Sequence, residues 1–414
     1  MSTNASARAP AARAPTETIV DWRELDLFHP TPEHRLLADT LREFVAREVE
    51  PRAAEHDRAE RFDSELFRKA GALGLLGVTI PEAWGGAGLD ATAAVQVFET
   101  LASSDPGFAF SVLAHSILYA HGVAANGSDE QRARLLPKAV SGEWLCGMAM
   151  TEPEGGTDVM AMRTRAERDG DDYVVTGTKT FITNGGTDDG ATGDAFVVYA
   201  ATGRRGITPF VVERGMEGFA LGQKWRDKLG VRQSFTAELL FDGVRVPAAN
   251  RLGEEGFGAM AMIRTLEIER LTLAALSLGI AQRSLDEMVA HASERRSFGV
   301  PIREHGQVQR YIGEAFAEYR AARSLVYDAA RRLDPASSTS RLDGDAAKLF
   351  ASQAAKRAAD AAIQVLGGYG YMGEYVVSRL WRDAKIVEIA GGTLEAHHRN
   401  IALGLARAPG LVRE

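Results

Sequence analysis

The feature that most constrains the fold is a double change of period along the chain. From about Thr31 to Ser141 apolar residues recur at helical spacing, and between Cys146 and Val246 they fall into short runs of β-branched and aromatic residues. From about Gly256 the helical spacing returns. In the first stretch Leu36, Leu37, Leu41, Phe44 and Val45 form one stripe behind Thr31-Pro32, a pair suited to a helix N-terminus. Further helices are expected over about 63–73, 90–104, 107–121 and 128–140, separated by breaks such as Trp84-Gly85-Gly86-Ala87-Gly88. The middle stretch carries Tyr173-Val174-Val175, Thr180-Phe181-Ile182-Thr183, Ala195-Phe196-Val197-Val198-Tyr199, Pro209-Phe210-Val211-Val212 and Glu238-Leu239-Leu240-Phe241. Asp169-Gly170, Asn184-Gly185-Gly186 and Asp242-Gly243 punctuate these runs as expected turns. Helices over 257–295, 305–333, 341–366 and 393–406 would form a bundle. The expected fold is mainly α with a central, mainly antiparallel β-domain. Its expected divisions are a disordered tail (1–26), an N-terminal helical domain (27–145), the β-domain (146–255) and a C-terminal helical bundle (256–414).

At 414 residues the chain is too long for one hydrophobic core. Its 48 basic and 56 acidic residues give a net charge of -8, which argues against general nucleic-acid affinity. Cys146 is the only cysteine, so an internal disulfide and a cysteine-cluster metal site are excluded. It reads as a small buried apolar residue in a reducing, cytoplasmic setting. No stretch approaches the ~18 uninterrupted apolar residues of a membrane span, and no membrane partner is expected. Residues 1–16 are rich in Ala, Ser, Thr and Pro, with Arg8 and Arg13 and no acids, as in a transit peptide. Pro10 and Pro15 break any amphipathic helix there, which favours a disordered tail. The nine histidines, His397-His398 among them, show no metal-ligand spacing, so no metal is expected.

Two sets of residues carry a more specific signal. One is Met148-Ala149-Met150-Thr151-Glu152-Pro153-Glu154-Gly155-Gly156-Thr157-Asp158. The other is Gln364, Gly367, Gly368, Gly370, Arg382 and Asp383, followed by Ala390-Gly391-Gly392-Thr393. Together they resemble the flavin-dependent acyl-CoA dehydrogenase family, over about residues 30–408. The resemblance implies an N-terminal helical domain, an antiparallel β-domain and a C-terminal four-helix bundle. It also implies FAD, dehydrogenation of an acyl-CoA to a trans-2-enoyl-CoA, a homotetramer, and electron transfer to an electron-transferring flavoprotein. Most members carry the catalytic glutamate immediately before the Gly-Thr pair, where Gly391 stands here. A minority, isovaleryl-CoA dehydrogenases among them, place it on a much earlier helix. The matching residue is Glu269, in Leu266-Glu267-Ile268-Glu269-Arg270-Leu271. The pattern is closest to that minority, so a short or branched acyl-CoA is the expected substrate.

Dehydrogenating a thioester removes an α-proton and a β-hydride. The proton needs a carboxylate in an apolar pocket, where desolvation raises its basicity. The hydride needs an electron sink that no side chain supplies. Glu269 is the candidate base; its alternative is a solvated glutamate paired with a neighbouring arginine, and Glu267 is the weaker second candidate. By resemblance Arg270 contributes to substrate binding. The Gly391 N–H would polarise the thioester carbonyl together with a flavin ribityl hydroxyl. Absence of a side chain at Gly391 would also leave room for a branch near the reacting carbons.

The resemblance places Met148, Met150, Thr151, Gly156 and Thr157 along the isoalloxazine ring and pyrophosphate, with Thr157 also at the substrate entrance. Phe181, Ile182 and Thr183 match the second ring-contacting segment, with Phe181 where relatives usually carry Trp. A second subunit would add Arg295, Ser297 and Phe298, then Gln364, Val365, Gly367 and Gly368, and finally Thr393 and Glu395. Gly306 stands where relatives commonly carry a flavin-contacting Gln, with Gln307 adjacent. The loop 185–194 is longer than usual, and is either a solvated turn or part of the channel mouth. Two alternatives share the fold. One is a dehydrogenase acting on a carrier-protein-bound acyl or aminoacyl thioester, for which Arg204-Arg205 and Arg295-Arg296 are candidate contacts. The other is a flavin oxidase or monooxygenase, against which Glu269 counts.

Overall fold

A computed structural model describes residues 26–203, 206–334 and 338–407. The expected N-terminal tail and the Arg204-Arg205 pair lie outside the described residues. The Thr31-Pro32 start signal is realised: the Thr31 hydroxyl accepts the His34 N–H and Pro32 opens α1 (Pro32–Phe44). A π-helical turn over Val45–Val49 leads into α2 (Glu50–Ala59), a helix that the periodicity did not announce. Then come α3 (Ser64–Ala72), α4 (Ala91–Ala102), α5 (Pro106–Leu113), α6 (Gly122–Asn126) and α7 (Asp129–Val140). A second π-helical stretch, Ala114–His121, joins α5 and α6 into one rod. Among the described residues this rod alone is long and apolar enough to cross a membrane, but it is mostly buried and serves as a core helix.

The middle of the chain forms seven strands: β1 (Cys146–Ala149), β2 (Arg165–Asp169), β3 (Asp172–Thr183), β4 (Ala195–Ala201), β5 (Ile207–Glu213), β6 (Phe219–Lys224) and β7 (Thr236–Pro247). They pair in the order β1-β4-β2-β3-β7-β6, with β5 on β4. The β2–β3, β3–β7, β4–β5 and β6–β7 pairs are antiparallel, whereas β1 and β2 each meet β4 in parallel. One expected turn is corrected. Asp242-Gly243 lies inside β7, where the register with β3 shifts and Gly243 has φ +64°, so the pair forms a bulge.

The C-terminal part comprises α8 (Gly258–Glu294), a small ribbon of β8 (Arg296–Ser297) and β9 (Val300–Pro301), and α9 (Gly306–Arg331). It continues through α10 (Ser338–Leu366), α11 (Val376–Asp383) and α12 (Leu394–Arg407). Four of these match the expected helices and α11 is additional. Apolar residues of α4, α5, α8, α9 and α10 share one core. Gly279 lets α8 approach α4, since a Cβ there would fall 2.3 Å from the Glu99 carbonyl oxygen.

The loop 185–194 is a bridge rather than a free turn. Asp188 accepts the Phe62 N–H at 3.1 Å and the Lys224 ammonium at 2.7 Å, tying the N-terminal helices to β6.

Candidate active site

Glu269 lies on α8 with only 5% of its surface exposed. Its Oε2 is buried without a hydrogen-bond partner among the described residues. Burial pushes its pKa up to about 7 against the opposing pull of Arg270 and Lys348. Its Oε1 sits 3.3 Å from the point that a Cβ on Gly391 would occupy. The helix position and the turn position therefore border one volume, although 122 residues separate them in sequence. The room expected at Gly391 is not free: the same Cβ would fall 2.2 Å from Leu273 Cδ1. Leu273 is one turn beyond Glu269 on the same helical face, and it fills the space beside the carboxylate.

Glu267 is buried as well, and burial raises its pKa. It has Arg341 Nε at 3.4 Å from one oxygen, an ion pair that the surroundings of Glu269 do not provide. Arg270 turns to Asp345, with Nη1 3.4 Å from Oδ2. Lys348 is fully buried, donates to the Gly392 carbonyl at 2.6 Å, and has its pKa pulled down to about 8 by burial against the attraction of Glu269. His397 Nε2 also meets the Gly392 carbonyl, at 3.1 Å, and Nδ1 lies 2.5 Å from Asp345 Oδ1. Lys348 and Asp345 were not singled out from sequence, and His397 only within the His397-His398 pair without metal-ligand spacing. Only their burial as charged residues in helical patterns could have signalled them.

Two motif residues of the β-domain, Met148 and Met150, pack beside this centre. Met148, Met150, Tyr199, Met262 and Leu266 pack in one cluster, which joins β1 and β4 to the first turns of α8. Burial, with the Glu269 carboxylate adding, pushes the Tyr199 phenol up. The 150–164 loop is pinned from within: Lys179 donates to the Met150 carbonyl and to Glu152 Oε1, both at 2.9 Å. Glu152 also accepts the Arg163 and Thr164 N–H groups at 2.6 and 2.8 Å. Burial would raise the Glu152 carboxyl, but these hydrogen bonds outweigh it and hold the pKa down at about 2. Thr151 is half-buried on this loop, while Gly156 and Thr157 are exposed.

Phe181 is 60% exposed with φ +57°, at a register shift of β3 against β7 that turns the ring out of the sheet. Trp225 packs against it with the rings tilted by 33° and 5.2 Å between centroids, and donates its indole N–H to Thr180 Oγ1 at 3.2 Å. The motif reading missed Trp225, which sits in a loop beyond the recognised runs. Ile182 faces the sheet core, so only its backbone is available to a ligand, whereas Thr183 is half-buried at the strand end. An exposed, outward-turned aromatic ring, a pinned loop and a Gly156 whose Cβ would meet nothing within 4 Å suit a large planar group with a phosphate-bearing tail.

Apart from Thr393 and Glu395, the remaining motif residues do not converge on this centre. Arg295 closes α8, 26 residues beyond Glu269, which is about 39 Å along the helix axis. Ser297 is half-buried and Phe298 is 96% exposed in the ribbon that follows. The Gln364–Gly368 segment ends α10 at the same end of the molecule, where the Tyr369 ring meets the His291 ring of α8 at 6.0 Å. Gln364, Gly367 and Gly368 are exposed there, while Val365 is buried in the helical core. Thr393 and Glu395 start α12 beside Gly391, and the Thr393 hydroxyl accepts the Ala396 N–H. Gly306 opens α9 and a Cβ there would meet nothing within 4 Å. No group of three or more His, Cys, Asp or Glu able to hold a metal ion occurs among the described residues.

Three family models cover nearly the whole chain: the N-terminal domain of acyl-CoA dehydrogenase over residues 31–143, its middle domain over 147–244 and its C-terminal domain over 256–406. The mitochondrial isovaleryl-CoA dehydrogenase of Pongo abelii is 37% identical over 382 residues, covering 90% of this chain and 88% of the relative. The structure of butyryl-CoA dehydrogenase from Megasphaera elsdenii matches at a TM-score of 0.87 with 35% identity, over 91% of this chain and 99% of that one. A glutaryl-CoA dehydrogenase from Mycobacterium smegmatis in complex with FADH2 matches at 0.84 with 29% identity, over 91% and 95%. Motifs, fold and a buried carboxylate facing the glycine turn thus agree with sequence similarity along the chain, which belongs to the acyl-CoA dehydrogenase family.

Proposed function

We propose that this protein is an FAD-dependent acyl-CoA dehydrogenase acting on a short or branched acyl-CoA, with Glu269 as the base. The observation that carries the assignment is a buried, under-partnered carboxylate whose pKa stands at about 7, bordering the Gly391 position. A carboxylate poised near neutrality takes an α-proton more effectively than one in water. Thr151, Gly156, Thr157, Phe181 and Thr183 would hold the isoalloxazine and diphosphate of FAD, with Met148 and Met150 backing the ring. When bound, FAD supplies the acceptor for the β-hydride. Gly391 borders the same volume, and its backbone N–H would donate to the thioester oxygen as negative charge builds on it. Leu273 and the Met262–Leu266 face exclude water and keep Glu269 desolvated. Arg270 is held by Asp345 beside the base and would orient the thioester.

The separation of about 39 Å between Glu269 and Arg295 supports an oligomer, a homotetramer by family resemblance. In it Arg295, Ser297, Phe298, Gln364, Val365, Gly367 and Gly368 of one copy complete the flavin site of another. The electrons would leave to an electron-transferring flavoprotein. The assignment is tested by anaerobic bleaching of the purified yellow protein with straight, branched and carrier-bound acyl thioesters. Fast bleaching by short or branched CoA thioesters supports it. Bleaching only by carrier-bound thioesters moves the substrate class, and bleaching by none overturns the proposal.

A further inference from the structure

Gly391 and Gly392 are successive residues with φ of +63° and +97°, a backbone with no side chain of its own to anchor it. Its anchors come from elsewhere. Gly392 O accepts from Lys348 at 2.6 Å and from His397 Nε2 at 3.1 Å. His397 is buried, in the first turn of α12, and its own N–H bonds the Thr393 carbonyl. Its other ring nitrogen meets Asp345 Oδ1, which also takes the Asn400 amide at 3.3 Å, while Asp345 Oδ2 faces Arg270. A chain of contacts therefore runs from the residue after Glu269, through Asp345 and His397, to the turn opposite Glu269. The charged groups facing the pair are Arg270 from α8 and Lys348 from α10.

A carbonyl oxygen only accepts, so Nε2 of His397 carries a proton. The contact between Nδ1 and Oδ1 then requires a second proton, held by the ring or by the acid. With one proton fewer, a ring lone pair would face an oxygen on one side or the other. Either placement of the second proton leaves Nε2 donating to the Gly392 carbonyl, which anchors the C-terminal end of the Gly391–Gly392 turn.

We propose that Asp345 and His397 are positioning residues that hold the Gly391–Gly392 turn in register with Glu269, so that base and carbonyl donor meet one thioester. This rests on the function proposed above. A displacement of about 1 Å in such a site costs up to about a hundred-fold in rate.

The test uses the FAD-loaded, full-length protein. His397→Ala and Asp345→Ala should slow limiting flavin reduction by a short-chain acyl-CoA about ten- to a hundred-fold. In His397→Ala the thioester dissociation constant should stay within about three-fold, whereas Asp345→Ala also frees Arg270 and should weaken thioester binding as well. Asp345→Asn can still donate to Nδ1 and accept from Arg270, and should recover most of the rate. In hydrogen exchange without thioester, peptides spanning 388–394 should exchange faster in the alanine variants, while those of α8 do not change. Should the alanine variants fail to fold, His397→Gln and His397→Asn decide, since Gln reaches the Gly392 carbonyl and Asn falls short. The Gln variant should reduce flavin at least about five-fold faster. Wild-type reduction in His397→Ala, no rescue by Asp345→Asn, or equal rates for Gln and Asn would overturn the inference. Glu269→Gln serves as the control: if it reduces flavin normally, the base assignment has failed. If it is inactive while His397→Ala is normal, only the positioning role has failed.

Discussion

Two buried glutamates, one on α4 and one on α8, differ in what surrounds them. Glu99 accepts from Arg323 Nε at 2.7 Å, from the Tyr327 hydroxyl at 2.5 Å and from the Tyr319 hydroxyl at 3.2 Å. Glu269 is equally buried, yet one of its oxygens has no partner among the described residues and its pKa climbs to about 7. Burial of a carboxylate is thus no sign of chemistry in itself, and neither is a missing hydrogen bond, since both Glu267 oxygens lack one among the described residues. What sets Glu269 apart is an under-partnered carboxylate that borders the Gly391 turn with no ion pair beside it among those residues, whereas Glu267 has Arg341. Glu99 joins α4 to α9, and its charge is spent on fixing them. Glu269 keeps its charge available, at a cost to stability that the surrounding core offsets.

The comparison breaks most visibly in rate. Glu269→Gln should retain FAD and fold but lose about 10³- to 10⁴-fold in flavin reduction, measured by anaerobic stopped flow. Near-normal reduction would shift the base to Glu267 or another group. Glu99→Ala should do the reverse: it leaves Arg323 and two tyrosines without their acceptor and destabilises by about 3–5 kcal/mol in denaturant titration. Any folded fraction should reduce at nearly the normal rate. A catalytic defect without loss of stability would erase the distinction between the two sites.

A third prediction concerns pH and stability. The Glu269 carboxyl has its pKa raised on folding from 4.5 to about 7, so the folded state favours the protonated form. Its stabilising contribution is complete below pH 4.5 and is lost as pH rises through 7, a change of about 3 kcal/mol. Glu269→Gln lacks this titration. Its melting temperature should gain on that of the wild type between pH 5 and pH 8; a constant gap would contradict the raised pKa.

The smallest expected effect tests the packing at the turn. Gly391→Ala forces a left-handed residue and a Cβ against Leu273, costing about 1–3 kcal/mol. Adding Leu273→Ala should yield a coupling of about 1 kcal/mol, because the second change vacates the volume that the first invades. Strict additivity would mean that the two residues do not compete for one space.

Much of this arrangement was legible in sequence, and the reasons differ by residue. Periodicity sufficed for the long helices and for β3, β4, β5 and β7, whose apolar runs are continuous. It did not announce β1, only four residues long, or β2 and β6, which are mostly exposed or half-buried. It failed for α2, whose ten residues carry no apolar stripe, and for α11, whose eight residues are too few to display a period. Asp242-Gly243 looked like a turn because a bulge and a hairpin use the same left-handed glycine. Glu269 was found through motif resemblance, not through its spacing, which a surface ion pair would share. What no pattern could disclose is three-dimensional occupancy: that Leu273 fills the space opposite Gly391, that Trp225 backs Phe181, or that Asp345 and His397 meet across 52 residues. Those contacts exist only after α8, α10 and α12 have packed together.

The most direct measurement is the pH dependence of single-turnover flavin reduction by a short-chain acyl-CoA at subsaturating concentration, which reports the free enzyme's base. Glu269 predicts a rate that rises with pH through a midpoint near 7 and levels off above it, with this acid limb absent from the residual activity of Glu269→Gln. A limb at the ordinary carboxylate pKa, or one that persists unchanged in the variant, would contradict a desolvated Glu269 as the group that takes the proton.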